Sequence, residues 1–455
     1  MLSAAPRFRT TVASGSVAVA LLVGGATKLA AAEQAVQDRL AWLRRPAAWQ
    51  LRWTRPIVAS PPAVAAGLVA WLDAGAVHGV RAEDGLPAWR RVPPQDTLLF
   101  PRSTVSRLGA GRPVQLGLST VTTCGHLVYA VIEAGGLGPL VVCLDCSDTA
   151  EGRLLWSAPP PTGCVGFDGP PAADHEVCAI VTRGAGDRGP LELVVHDARD
   201  GVVIWRRPLA TGMARDGVDH ARGRRQATLV DGQIVIADHA GSIWAFDRSG
   251  RSAWRYEYDL PARGVKRPSG DAVSGDVGWL LPVEPVVAAP HGLVIAAQDR
   301  GGVLALDAAA GPPRLRWEVA VGERLRIVGV ADGRVVLERG ADAGQATLVS
   351  HDAADGRVVA SGTAGPLAVG LAVMAGGVIL QPVADNGAEQ PRLAIAAIDA
   401  ATLQRCGPPC QISSAVAGDM AAGAASSPAV SLTVSPAAVF VAGVDQLFSL
   451  GPPAP

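Results

Sequence analysis

The sequence predicts an all-β fold: an eight-bladed β-propeller of four-stranded antiparallel blades, closed by pairing an N-terminal strand with the C-terminal blade. Three observations predict it. Residues 229–254, LVDGQIVIADHAGSIWAFDRSGRSAW, alternate apolar and polar positions between Gly-containing turns, the mark of short antiparallel strands. The same unit recurs with Asp, Gly and Trp in one order, and repeats of about 40 to 50 residues with four strands each build a propeller. The two ends of the chain carry complementary pieces of one further unit.

Taken in order, the units are 67–89, 126–156, 175–205, 229–254, 291–317, 333–360 and 376–406. Arg81 stands in the first where the others have Asp145, Asp197, Asp247, Asp307, Asp352 and Asp399. Trp89, Trp156, Trp205, Trp254 and Trp317 end the first five units, whereas Ala360 and Cys406 end the last two, where looser contacts are expected. Residues 436–450 supply two more strands, and the segment ending at Trp53 supplies a strand with no preceding partners. Pairing the two completes an eighth blade and removes an open edge, which is otherwise prone to aggregate. Pro-led stretches at Ser60, Glu284 and Ser427 precede units one, five and eight as their innermost strands, with Pro placed where no ladder donor is needed.

Composition agrees. The 455 residues are 49% hydrophobic and 18% charged, with net charge −1, as in an ordinary globular chain. Fifty-three Gly and 35 Pro suit a protein of many turns, and with six Phe and three Tyr the core must be filled by Val, Ile, Leu and Ala. The expected organisation is 1–32 as signal peptide or membrane anchor, 33–48 as helical spacer, 49–451 as propeller and 452–455 as tail. Arg7 and Arg9, an apolar 14–26 and Ala30-Ala31-Ala32 carry the first assignment, which places the ring outside the cytoplasm. No Cys stands among the first hundred residues, which argues against a lipid anchor.

The recurring A-x-D-x-x-x-G-x-x-x-W pattern, seen in Ala245-Phe246-Asp247 and Ala305-Leu306-Asp307 with their Trp residues, resembles the tryptophan-docking repeat of PQQ-like (quinoprotein-type) propellers. That superfamily holds the quinone-cofactor dehydrogenases and the BamB-like subunit of the bacterial outer-membrane assembly machine. The resemblance covers roughly 49–451 and implies fold more than function, since one fold hosts many activities. It implies that Trp53 and the five unit-ending Trp dock blade on blade, each indole N–H finding a neighbouring backbone acceptor, while each Asp holds its own turn.

For function, the dehydrogenase branch implies pyrroloquinoline quinone, a Cys-Cys pair and a calcium cage of acid and amide side chains. The chain has no Cys-Cys pair and a single Asn, Asn386, so the cage cannot be built in the family's way and no cofactor is expected. Its seven Cys show no repeated metal-site spacing. Cys143 and Cys146 read as packing or a strained disulfide, and Cys406 and Cys410 can close a small loop. No G-x-S-x-G, H-E-x-x-H or phosphate-cradling loop appears. The links 90–121, 206–228 and 255–279 hold fifteen Lys and Arg against seven acids. Arg222, Arg224, Arg225, Arg263, Lys266 and Arg267 are the densest part, a surface that attracts acidic partners. Nucleic acid does not fit, because these stretches lack interleaved aromatics for base stacking. The expected function is a non-catalytic, monomeric scaffold for a protein partner in the cell envelope. The alternatives are a quinoprotein-like oxidoreductase with an atypical site and a sensor or carbohydrate-binding ring.

Overall fold

A computed structural model describes residues 38–56, 62–91, 121–209, 227–257, 287–363, 372–413 and 430–452, apart from short runs inside these stretches, with strand fragments at 99–101, 105–106 and 114–115. Eight antiparallel sheets follow one another in chain order, each with its first strand innermost and its fourth at the rim. Blades 1 to 7 occupy 63–91, 99–158, 164–209, 228–257, 287–320, 325–363 and 373–413. Blade 8 combines 431–451 with the N-terminal strand Gln50–Pro56, in the order of an ordinary blade. That strand pairs with Gln446–Gly451 from Gln50 opposite Gly451 to Pro56 opposite Gln446. The expected closure is therefore present, and the last blade's ladder is satisfied by the first strand of the chain.

Chain topology gives the ring two unlike faces. The hairpins between strands one and two lie at one end of each blade, together with the turns between strands three and four of blades 1 to 7; we call this the turn face. The strand ends that open the second-to-third connections and the outer-to-inner links lie at the other, the link face. The link after blade 1 carries more structure than its sequence suggested. Leu99–Pro101 adds to the second strand of blade 2 beside Val121–Cys124, and Val105–Ser106 pairs with Val114–Gln115.

The core is a set of layers between blades. Val128, Ala130, Ile132, Val142 and Leu144 pack toward blade 1. Their alternates Tyr129, Val131, Val141 and Cys143 pack toward blade 3. Because both faces of the middle strands are covered, those strands read as continuous apolar runs, and only the outer strands keep alternation. Exposed aliphatics are accordingly concentrated at the rim, as at Leu155, Val203, Leu315 and Val358.

The segment expected to be a helical spacer is described from residue 38. It forms two short 3-10 turns, Ala41–Arg44 and Pro46–Ala48, which strap onto the turn face between blades 7 and 8. Leu43 is 0% exposed, and Leu40 and Trp49 are buried with it against Val378, Leu393, Cys410 and Leu450. An amphipathic segment this short holds its shape by packing rather than by propensity. Residues 1–37 lie outside the described residues, so the leader assignment at 1–32 does too.

Candidate functional site

The repeated Trp and Asp come together at the seams. A β-bulge in the outer strand just before the Trp position recurs in blades 1 to 6 and in blade 8, for example opposite Val195 and His196. A bulge re-aims the side chain that follows it, here across the seam onto the turn of the next blade. Trp53, Trp89, Trp156, Trp205 and Trp317 lie over Gly85, Gly152, Gly201, Gly250 and Gly356. A Cβ on any of these glycines would fall 2.5–2.7 Å from the ring. Each has positive φ, between 68° and 80°, so glycine is required twice over, by conformation and by space.

Four of the indoles donate their Nε1–H to the backbone of that turn. Trp53 reaches Ala82 O at 3.1 Å, Trp156 Ala198 O at 2.9 Å, Trp205 Arg248 O at 2.8 Å and Trp317 Ala353 O at 2.9 Å. Trp254 departs from this expectation. Its Nε1–H donates to the Gln233 side chain of its own blade at 2.9 Å, while its ring packs on Leu304, Leu306 and Ala308 of blade 5. The Trp89 Nε1–H is buried with no acceptor among the described residues, its ring pressed onto Gly79 of its own blade.

Five of the unit Asp residues bond within their own turns. Oδ1 accepts backbone N–H from residue +2 at Asp145, Asp197, Asp247, Asp352 and Asp399, at 2.8–3.0 Å. The hydrogen bond from Ser249, followed by that from the Arg251 backbone, holds the Asp247 carboxyl below its ordinary value. Asp307 stands 3.8 Å from Arg316. In blade 1, where Arg81 replaces the Asp, Asp84 caps Leu86 N at 2.9 Å and pairs with Arg81, so the acid has moved three positions along the same turn. His196 and His351, each just before the Asp, lie buried and stacked on Trp156 and Trp317. Their Nδ1 atoms are 2.8 Å from the docking-glycine carbonyls Gly201 O and Gly356 O.

Sequence reasoning missed a second latch. Arg55 and Arg207, two residues after their Trp, donate to the same docking glycines, Arg55 to Gly85 O at 2.7 Å and Arg207 to Gly250 O at 3.0 Å. The W-x-R spacing was legible at 53/55, 89/91 and 205/207.

Blade 7 is held differently on both sides. Ala360 of blade 6 stands where a Trp would be, and the turn position that takes glycine elsewhere is Leu403, at φ 55°. Leu403 fills the space against Gly362 and packs with Val336, Leu348 and Ile379. At the next seam Cys406 replaces the Trp, and blade 8 has no turn between its third and fourth strands because the chain ends meet there. Trp49, four residues before Trp53 as Gly85 is before Trp89, takes the turn position. Its Nε1–H donates to Trp42 O at 3.2 Å, and Trp42 in turn donates to Pro436 O of blade 8 at 3.2 Å. Arg44 pairs with Asp399 of blade 7. Burial alone would raise the Asp399 carboxyl, but Arg44 and the Thr402 hydrogen bonds outweigh it and hold it below its ordinary value. Both seams thus invert the usual dock, with the small residue on the outer strand and the large one at the turn.

The thiols do not form a redox or metal site among the described residues. Cys143 faces blade 3 and Cys146 faces blade 1, so the strained disulfide considered from sequence is excluded by direction. All seven cysteines, Cys406 and Cys410 included, are free thiols. No group of three or more His, Cys, Asp or Glu suited to a metal occurs among the described residues. The candidate partner-binding residues Arg222, Arg224, Arg225, Arg263, Lys266 and Arg267 lie outside the described residues. The strand ends that lead to them, at Leu209 and Glu257, open onto the link face.

The profile of the family described as outer membrane protein assembly factor BamB matches residues 141–281 and 271–401. No curated protein sequence matches the chain. Among solved structures, BamB from Moraxella catarrhalis superposes with a TM-score of 0.55 at 13% identity, covering 89% of this chain and 99% of that one. The quinohemoprotein alcohol dehydrogenase of Comamonas testosteroni gives 0.54 at 15% identity, over 90% of this chain and 77% of that one. Sqt1 of Saccharomyces cerevisiae gives 0.51 at 12%, over 89% and 98%. At such identities the likeness is one of fold.

Proposed function

Because the chain belongs to the PQQ-like propeller family of the outer membrane protein assembly factor BamB, we propose that it is a non-catalytic, extracytoplasmic scaffold. Its link face binds an acidic protein surface within an envelope complex, the ring itself acting as a monomer. The observation that carries this reading is the separation of charge along the ring axis. Between their flanking strands, at 92–120, 210–227 and 258–286, the three long links hold ten Lys and Arg against seven acids, and all three leave from the link face. The turn face carries exposed carboxylates, among them Glu83, Asp84, Asp200, Asp231, Asp332 and Asp355. Loops held by a rigid scaffold are where propellers place binding groups, and a single-sign face raises the encounter rate with an oppositely charged partner.

The tether fits the same arrangement. Residues 38–49 lie on the turn face, so a retained leader at 1–32 would hold the ring by the side opposite the basic links. The pattern of docks supports a scaffold as well, because the repeated Trp, Asp and His are consumed in joining blades. Crosslinking in the native envelope, comparing the natural chain with Arg222→Glu/Arg224→Glu/Arg225→Glu, tests it. A partner captured by the natural chain and lost from the charge-reversed one is expected, with capture weakening as salt is raised; equal capture by both removes the link face from the proposal. The oxidoreductase reading rests on the shared fold with the Comamonas dehydrogenase. Stoichiometric uptake of pyrroloquinoline quinone with calcium, accompanied by dye reduction, would replace the scaffold reading.

A further inference from the structure

Blade 7 is the one blade flanked by two inverted docks. On its blade 6 side, a leucine in the left-handed region, Leu403 at φ 55°, replaces the Trp-on-Gly contact. A non-Gly residue there carries strain, and a leucine against Ala360 and Gly362 buries less surface than an indole would. On its blade 8 side the strap, residues 38–49, takes the place of the Trp-on-Gly dock through Leu40, Leu43 and Trp49 and the Arg44–Asp399 pair, beside direct packing of Leu380 and Ile395 with Val439 and Phe448. The strap belongs to neither blade's hydrogen-bonded ladder and is joined to the ring only where the strand Gln50–Pro56 begins.

We infer that blade 7 is the yielding sector of the ring and that residues 38–49 are the clasp that fixes it: the strap lifts and blade 7 loosens without the other blades unfolding. Stability in a folded chain is uneven, and sectors with fewer buried contacts open below the global cost. The strap's attachment through side chains alone, beside a seam already short of an indole, puts that lower cost here. The propeller therefore has a built-in opening at the point where its two chain ends meet. Among the described seams, the one between blades 6 and 7 has no indole packed across it, and at the blade 7 to blade 8 seam the indole, Trp49, comes from the strap.

Two buried thiols report this separately. Cys410 lies on the outer strand of blade 7 under the strap, and Cys178 lies fully buried between blades 2 and 3. The experiment is alkylation of the full-length native chain with N-ethylmaleimide, each cysteine followed by peptide mass spectrometry, alongside amide hydrogen exchange. Cys410 is expected to label faster than Cys178. Amides of Arg392–Asp399 are expected to exchange faster than those of Leu191–Asp197. Leu43→Ala should raise Cys410 labelling by at least about tenfold, on the scale of a buried Leu truncation, with Cys178 unchanged. Asp399→Asn, which removes only the Arg44 pair, should raise it by less and in the same direction. Labelling of both thiols at one rate, or a parallel rise of both in either variant, would mean that opening is global and would overturn the inference.

Discussion

Trp156 and Gly201 offer the sharpest test of the docking account. The indole is 6% exposed, and burying about 200 Å² of ring at ~25 cal/mol per Å² corresponds to about 5 kcal/mol. Truncation to alanine is expected to cost ~3 to 5 kcal/mol, which includes the bond to Ala198 O. Gly201→Ala introduces a methyl 2.6 Å from the ring at a φ of 75°. The left-handed conformation alone costs roughly 1 to 2 kcal/mol, and displacing the indole forfeits much of the dock besides. In a Trp156→Ala background the methyl meets empty space, so only the conformational cost remains. The double variant should therefore be less destabilised than the sum of the singles by about 2 kcal/mol or more. Urea unfolding at 25 °C, followed by circular dichroism with unchanged slope, measures all three differences. Additivity within ~0.5 kcal/mol would show that the ring and the glycine are not in contact, and the docking assignment would fall with it.

Other perturbations follow from the same seams. Trp254→Ala should destabilise by ~3 to 5 kcal/mol, whereas Gln233→Ala, which removes only the acceptor of Trp254, should cost ~1 to 3 kcal/mol in the same unfolding assay. Ala360→Trp is expected to destabilise because Leu403 occupies the seat, and Ala360→Trp with Leu403→Gly should recover that loss and exceed the natural chain in melting temperature; a double variant no better than the single would refute the inverted dock. Burial holds the His196 imidazole below its ordinary value of 6.5, against the opposing Gly201 bond. The folded state then binds that proton more weakly than the unfolded state. Stability should be full above about pH 6.5 and fall as pH drops through and below it. In His196→Gln the slope of melting temperature against pH over this window should flatten, and an unchanged slope would exclude the imidazole as its source.

The repeat itself was legible because propeller strands are bounded by turns of fixed chemistry. The Asp that caps its own turn and the Gly at positive φ recur wherever the backbone must reverse, so the register of seven units could be read by eye, and Pro56, Trp53 and Gln446 sit where closure requires. The docking Trp were legible for the same reason. Less visible was the other half of each dock. Glycine was read as a turn residue, yet Gly201 and Gly356 are also the floor on which an indole lies, and the bulge that aims the indole leaves no mark in the sequence. The pairings Ala360 with Leu403 and Cys406 with Trp49 were present in the chain but looked like lapses of a motif, because nothing local says that a large residue at the turn compensates for a small one on the outer strand of the preceding blade.

Sequence alone determined the fold class, the number of blades, the closure of the ring and the charge of the long links, all of which depend on patterns within a few residues or on composition. Only the tertiary structure decided the direction of Cys143 and Cys146 toward different neighbours, the Trp254 bond to its own blade and the conversion of an expected spacer into the strap between blades 7 and 8. Those depend on which side chains from distant parts of the chain share one buried seam. Burial across a seam rewards any pair that fills the space, so local pattern does not specify which partner supplies the bulk.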